Sequence, residues 1–469
     1  MSSGKSRQKA LLKNTIIMMV GKFFTQFLSF LLLPLYTRFL ATSDYGTIDL
    51  ILTYISLLVP VITVQQEMAT FRYLVDARKD EKQIGNIIRT SLRSTSLRMF
   101  CFVLIGLILS IFINLPNKYL ILPAMVACAF SNLALQTARG LGRNMQYSIA
   151  SVLAGIVTIT TNFILICLCH FGAESLLIAM TLANLTSCLF IFFSLRITKY
   201  LKGGKTSKPL RNSMLKYSWP LVPNGISWWL INASDRTIIS IFLGVASNGI
   251  YAVANKFPTI IGGFLSVFSM SWTESASLHI NDKDRDEFFT SIASNILKLF
   301  SSLCILLIAI LPLVFNIIVG VDYSEAYNYI PILLLASMGN CMVTIYSAIY
   351  VAKKMTKKVA STSIISAIIN LVVDLVLIHF IGLYAAAIST VVAYFAMVIY
   401  RHYDLKKYVR ITYNPRDIVL VALGFISIMT CYYSHIFWLY IIGILMAICY
   451  TCIMNRVIIH TAIKKILRK

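Results

Sequence analysis

"WWLINASDRTIISIFLG" occupies residues 228–244 of a 469-residue chain. The stretch has the length and most of the composition of a membrane-crossing helix, yet Asp235 and Arg236 sit side by side within it. A charge near the centre of a bilayer costs at least about 2.5–3.5 kcal/mol on insertion scales. A chain that keeps two there must turn them toward protein or water.

Bulk composition supports the membrane reading. The chain is 58% hydrophobic and 13% charged, with a mean hydropathy of +0.78, whereas soluble domains carry about 25% charged residues. Runs of about 20 apolar residues recur along almost the whole length and leave no room for a sizeable soluble domain. The basic start, "MSSGKSRQKALLKN", leads into an apolar run too long for a cleaved signal, which predicts a retained first helix. Fourteen apolar segments are predicted as crossings: 12–36, 45–65, 97–115, 119–138, 146–169, 175–195, 217–243, 250–273, 296–319, 328–352, 359–380, 383–400, 417–434 and 436–454. The expected class is an all-α integral membrane protein. The ten cysteines lie in apolar stretches and the six histidines have no ligand spacing, so no disulfide framework, metal site or cofactor is expected.

Lys and Arg set the orientation. With a cytoplasmic N-terminus, 37 of the 42 basic residues fall in cytoplasmic segments and only Arg38 and Lys118 outside; Lys22, Arg236 and Lys256 lie within helices. Both termini are therefore expected in the cytoplasm. The net charge of +24 marks the face next to anionic lipid and is no sign of nucleic acid. The loop 196–216, "RITKYLKGGKTSKPLRNSMLK", reads as a basic linker. It divides a lobe at 1–195 (predicted helices 1–6) from one at 217–400 (predicted helices 7–12), with predicted helices 13 and 14 at 417–454 and a cytoplasmic tail at 455–469. Faint self-similarity relates the lobes. "FLATSDYG" (39–46) matches "FLGVASNG" (242–249), and Asn162, His170, Phe171 and Gly172 echo Asn370, His379, Phe380 and Gly382 within one or two residues. Two pseudo-symmetric six-helix halves would give this pattern.

The intramembrane charges are Lys22, Arg236 and Lys256, and the acids Asp49, Asp235 and Asp374. Facing lipid would be too costly, so they are expected to face one another or a wet cavity where the halves meet. Three cations suit an anion: Arg holds phosphate oxygens bidentately and Lys acts as a point charge. The acids would then balance charge or exchange protons. The alternative is structural, an ion pair in which Lys256 neutralises Asp235 and joins two helices. Glu67 and Arg72, in "QQEMATFRY" (65–73), could form a gate contact or a plain interfacial pair. Trp228 and Trp229 could stack on sugar rings or serve as packing anchors.

The stretches "LPLYTRFLATSDYGTIDL" (33–50), "SDRTIISIFLG" (234–244) and "GIYAVANKFPTI" (249–260) resemble the Wzx-type polysaccharide and O-antigen flippases of the multidrug/oligosaccharidyl-lipid/polysaccharide exporter (MOP) superfamily. The resemblance implies two six-helix lobes around a central cavity, two further helices, and alternating access in the cytoplasmic membrane of a bacterium. It implies a substrate in which an oligosaccharide hangs from a polyprenyl diphosphate, with the cationic cavity carried by Arg236, Lys256 and Lys22. Implied partners are that lipid-linked oligosaccharide, membrane lipids, and the polysaccharide polymerase and glycosyltransferases. Two other readings are a lipid II-type precursor flippase and a cation-coupled exporter of drugs or metabolites. A membrane enzyme is disfavoured: the outside loops, such as "GVDYSEAYNY" (320–329), are too short to carry a catalytic set.

Overall fold

In lipid every backbone N–H and C=O must find its partner inside the protein, which leaves long apolar segments the choice of helix or closed barrel. Here they choose helix, and no strand occurs among the described residues. The computed structural model describes residues 30–112, 117–456, 460 and 464, with Ser227, Trp228, Ile231, Asn232, Met270 and Thr356 described by backbone alone. We number the helices α1 (Leu33–Phe39), α2 (Thr42–Thr63), α3 (Gln66–Ala77), α4 (Glu81–Phe112), α5 (Lys118–Gly140), α6 (Asn144–Phe163), α7 (Glu174–Ser194), α8 (Ile197–Gly203) and α9 (Lys208–Ser218). There follow α10 (Leu221–Phe242), α11 (Val245–His279), α12 (Arg285–Ile318), α13 (Ile330–Ala352), α14 (Thr356–Ile381), α15 (Tyr384–Leu405), α16 (Pro415–Tyr433) and α17 (Phe437–Met454). A π-helical turn, Ile164–Leu168, closes α6, and a 3-10 helix, Val321–Asn328, precedes α13.

Twelve of these helices (α2, α4 to α7 and α11 to α17) are long and apolar enough to cross a membrane. They match twelve of the fourteen predicted segments. Most of the first segment, 12–36, lies outside the described residues. The seventh is α10, 22 residues long but more polar than the twelve because it carries Asn224, Asn232, Asp235 and Arg236.

Two departures from the sequence expectation have a physical origin. First, α4, α11 and α12 run for 32, 35 and 34 residues, well past the roughly 20 a crossing needs. Their polar ends continue the helix because nothing in them breaks it. Second, the basic segment 196–216 is largely helical. It folds into α8 and α9, with the break at Gly203–Gly204. Ser207 caps α9 by accepting from the Leu210 N–H at 3.4 Å, and Pro209 occupies the first turn, where its missing N–H costs nothing.

The described chain forms two compact units. The first holds residues up to Leu40 and Asp44–Trp229; the second holds Ala41–Ser43 and Leu230 onward. In the first, Ala69, Leu74, Ile84, Ile87, Ile88, Ile197 and Met214 pack α3, α4, α8 and α9 together. Its α2–α3 junction turns through Val64 and Gln65 at φ 54° and 47°, left-handed values that a β-branched residue rarely adopts. The Gln65 side-chain amide donates to the Leu221 carbonyl at 2.9 Å and secures that turn. In the second, Ala336, Val343, Ala367, Tyr394 and Met397 pack α13, α14 and α15.

Candidate functional site

The second unit contains a buried polar cluster around Asp235. Asp235 on α10 is buried, and its Oδ2 accepts from the Tyr251 hydroxyl on α11 at 2.9 Å and from the Thr390 hydroxyl on α15 at 3.1 Å. Thr390 has a second acceptor, the Ala386 carbonyl, at 2.9 Å. One hydroxyl hydrogen cannot serve both fully, so Thr390 can turn toward either. The Asn370 amide on α14 donates to Ser389 at 3.1 Å and to Thr390 at 3.4 Å. Asp374 stands four residues after Asn370, on the same face of α14, and is within electrostatic reach of Asp235 and Tyr251.

The cluster has more acceptors than donors. Asp235 Oδ1, Asn370 Oδ1 and both Asp374 carboxyl oxygens are buried with no hydrogen-bond partner. Native proteins leave few such atoms unmatched. A proton on one of the carboxyl groups would supply a donor that the cluster lacks.

Beside this cluster lies a cavity of about 280 Å³ lined by Asp235, Arg236, Tyr251, Asn255, Thr390 and Tyr394, with Asn340, Ser337 and Pro258 among its other walls. Pro258 sits inside α11 and lacks the N–H that would reach back to the Ala254 carbonyl. Arg236 brings a guanidinium to a wall that also holds the Asp235 carboxylate, amides, hydroxyls, aromatic rings and aliphatic side chains such as Ile261, Leu265 and Leu333.

The expected site residues divide between the units. Asp235, Arg236 and Asp374 come together in the second. Lys256 is half-buried on α11, next to the cavity-lining Asn255. Asp49, buried on α2, belongs to the first unit, as do Glu67 and Arg72. Glu67 accepts from Thr63 at 3.1 Å, whereas Arg72 pairs with Asp76 at 2.5 Å, so each has its own partner. Lys22 lies outside the described residues. The Trp229 indole donates to the Thr53 carbonyl at 3.0 Å and packs on Tyr54, as a packing anchor does. Sequence reading missed Tyr251, Asn370 as a site residue, and Thr390. The i,i+4 pair Asn370–Asp374 was the available signal.

Comparison with known proteins defines the class. The fold is similar to that of the lipid II flippase MurJ in an inward closed conformation, with a TM-score of 0.71 and 16% identity over 96% of this chain and all of that one. It is also similar to an inward-facing multidrug resistance MATE family transporter of the MOP superfamily, with a TM-score of 0.68 and 14% identity over 84% of this chain and 98% of that one. The described residues thus have the all-helical, multi-span fold seen in these two proteins. A protein of the Lsg locus of Haemophilus influenzae is 23% identical over 254 residues, covering 53% of this chain and 61% of that protein. The chain belongs to the polysaccharide biosynthesis protein family, whose sequence profile matches residues 11–273, in agreement with the Wzx-type membership expected from its motifs.

Proposed function

We propose that this protein is a flippase that moves polyprenyl-diphosphate-linked oligosaccharides across the cytoplasmic membrane of a bacterium, by alternating access, for surface polysaccharide synthesis. The observation that carries the reading is Arg236. A guanidinium on the wall of a cavity within a membrane-embedded unit suits an anionic group, and a diphosphate offers oxygens at the spacing its fork requires. A volume near 280 Å³ seats a diphosphate or one sugar ring, not a whole oligosaccharide. Family membership supports the glycan.

In this reading Asp235 and Asp374 couple movement to a proton or monovalent cation. Tyr251 and Thr390 hold Asp235 through Oδ2 and leave Oδ1 buried without a hydrogen-bond partner. Binding an anion at Arg236 removes a positive neighbour from Asp235 and changes its preference for a cation, so the two ligands are linked reciprocally. When Asp235 is neutralised, Thr390 turns its hydrogen to Ala386 and loosens the tie between α15 and α10. Lys256, next to the cavity-lining Asn255, would add a second positive charge for the same anion. Fourteen crossings with both termini cytoplasmic fit this role, and the polymerase and glycosyltransferases of the same glycan are the natural partners.

The test is deletion of the gene followed by lipid analysis. One polyprenyl-diphosphate oligosaccharide should accumulate, and the intact gene should clear it where Arg236→Glu, made at equal protein level, does not. Normal export by Arg236→Glu would sink the proposal. The buried acid pair favours one second reading, a cation-coupled exporter. That reading requires transport to survive Arg236→Ala, whereas the flippase should fail.

A further inference from the structure

A second cavity, of about 380 Å³, lies within the first unit between α4 and α9. Arg93 and Arg98 reach it from α4, and Lys208 and Arg211 from α9. No carboxylate is among the residues that line it. Arg98 and Arg211 are close enough to repel each other, and the acid within reach of Arg98 is Glu67 on α3, already engaged by Thr63. Two helix faces carrying the same sign of charge are thus packed in one apolar cluster, while Arg98 is anchored to the α2–α3 junction by hydrogen bonds to the Thr63 carbonyl and Gln66. Thr90, Ser94, Thr206 and Ser207 bring hydroxyl groups to the remaining wall, beside Leu97 and Leu215. Thr206 accepts from Arg93 at 3.2 Å, and Thr90, itself 97% buried, has a hydroxyl with no hydrogen-bond partner.

The cavity sits where α4 changes character. Leu97 lines it and is exposed, and beyond it Phe100, Leu104, Ile105 and Ile108 continue as exposed apolar residues. In a membrane helix that transition marks the headgroup level. Basic pockets at this depth hold lipid phosphates.

We propose that this cavity binds the phosphate group of a membrane lipid, with Arg93, Arg98, Lys208 and Arg211 on the phosphate oxygens, Thr90 as a further donor, and the lipid chain along Leu97 and Phe100. The site is separate from Arg236 and does not depend on the transport reading. Phosphatidylglycerol and a polyprenyl diphosphate share the required chemistry, and the experiment tells them apart.

The purified full-length protein is titrated in neutral detergent with phosphatidylglycerol, undecaprenyl diphosphate, phosphatidylcholine or inorganic pyrophosphate, and bound species are counted by native mass spectrometry. One or both of the first two should bind about tenfold or more tighter than phosphatidylcholine, and the double variant Arg93→Gln, Arg211→Gln should lose that preference. Arg211→Lys, which keeps the charge, should retain most of it, as should Lys283→Gln, which lies in the other unit. Equal thermal melting of wild type and double variant assigns the loss to the site. A preference for the diphosphate names the carrier lipid as source, and the reverse names the bulk phospholipid; both uphold the site. Unchanged preference in the double variant would overturn the proposal. So would binding of pyrophosphate with neither lipid retained, since the ligand would then be a soluble phosphate.

Discussion

The Tyr251 hydroxyl donates to Asp235 Oδ2 across 2.9 Å and so ties α11 to α10 through a single hydrogen. Hydrogen bonds to a charged acceptor contribute about 1.5–3 kcal/mol. Tyr251→Phe should therefore destabilise the protein by an amount in that range, because Thr390 remains as the other donor to the same oxygen. In Asp235→Asn the acceptor is neutral and the phenol matters less. A double-mutant cycle on chemical unfolding in detergent should return a coupling of at least about 1 kcal/mol between the two positions. Additive effects would show that the pair is a contact without consequence.

Asp374 leads to a prediction of opposite sign. Both of its carboxyl oxygens are buried without a hydrogen bond, and Asp235 is within electrostatic reach. Asp374→Asn removes one of two facing acidic groups and supplies an N–H₂ that can satisfy a neighbouring oxygen. The variant should melt at the same or a higher temperature than wild type, by about 1–2 kcal/mol in stability, yet lose export. It should also lose any response of melting to the coupling ion: if the ion is sodium, wild type is stabilised by added sodium and the variant is not. A variant that melts lower and exports normally would remove Asp374 from the coupling role.

Much of this architecture was legible because a bilayer admits few solutions. Thirteen of the fourteen apolar runs became long helices at the expected places, the more polar α10 among them, since nothing but a helix satisfies their backbone. The echo of Asn162 in Asn370 also has a structural counterpart. Both side chains are fully buried with the amide oxygen unpartnered, although only the second is followed by an acid, Asp374, one turn on. Hydroxyl partners were not legible. Tyr251 and Thr390 are ordinary helix residues in sequence, and only tertiary packing brings them to Asp235. Arg401 was hidden for a related reason: counted with the basic residues of a cytoplasmic loop, it is in fact fully buried on α15.

Arg401 makes the next prediction. Its guanidinium donates to Thr362 at 2.8 and 3.0 Å, to Ser347 at 2.5 Å, to Ser363 at 3.3 Å, and to the Val343 and Val359 carbonyls, and it lies over the Tyr350 ring at 5.8 Å. These partners are all neutral, and they stand on α13 and α14, so one side chain clamps three helices. Arg401→Met removes five donors from this network, although Thr362 and Ser347 keep their bonds to the Lys358 and Val343 carbonyls. It should cost at least about 2–3 kcal/mol. Arg401→Lys should rescue little, because three donors on a point charge cannot reproduce a planar fork. Thermal melting in detergent checks both, and a near-normal melting temperature for Arg401→Lys would show that charge, not geometry, is what matters.

Glu67 gives a pH dependence. Burial pushes its carboxyl above the usual range, opposed by its own helix N–H, by Thr63 and by Arg98. A raised value means that the folded state holds the proton more tightly than the unfolded one. The stability this group provides is therefore full below the unfolded value, about 4.3, and falls as pH rises through the folded value. Glu67→Gln cannot ionise and can still accept from Thr63. Relative to wild type it should gain stability as the pH is raised from about 4 to 8. A constant difference in melting temperature across that window would show that Glu67 stays solvated.

The crossing of Gly204 over Gly85 carries the last prediction. A Cβ placed on Gly204 would lie 2.3 Å from the Gly85 carbonyl oxygen and 2.4 Å from its carbon, and both are backbone atoms with no rotamer to yield. The contact is reinforced on either side. Asn86 accepts from the Lys205 N–H at 2.6 Å, and Arg89 donates to the Gly204 carbonyl at 2.8 Å and the Leu201 carbonyl at 3.1 Å. Gly204→Ala must push α8 and the following turn away from α4, stretching these bonds at a cost of about 1–3 kcal/mol. Gly203→Ala, where a Cβ meets nothing within 4 Å, is the matched control. Hydrogen exchange across residues 197–207 should quicken in the first variant and stay at the wild-type rate in the second. Because Thr206, Ser207, Lys208 and Arg211 follow directly, the same displacement should open the basic cavity and weaken lipid retention there, whereas Gly203→Ala should retain lipid as wild type does.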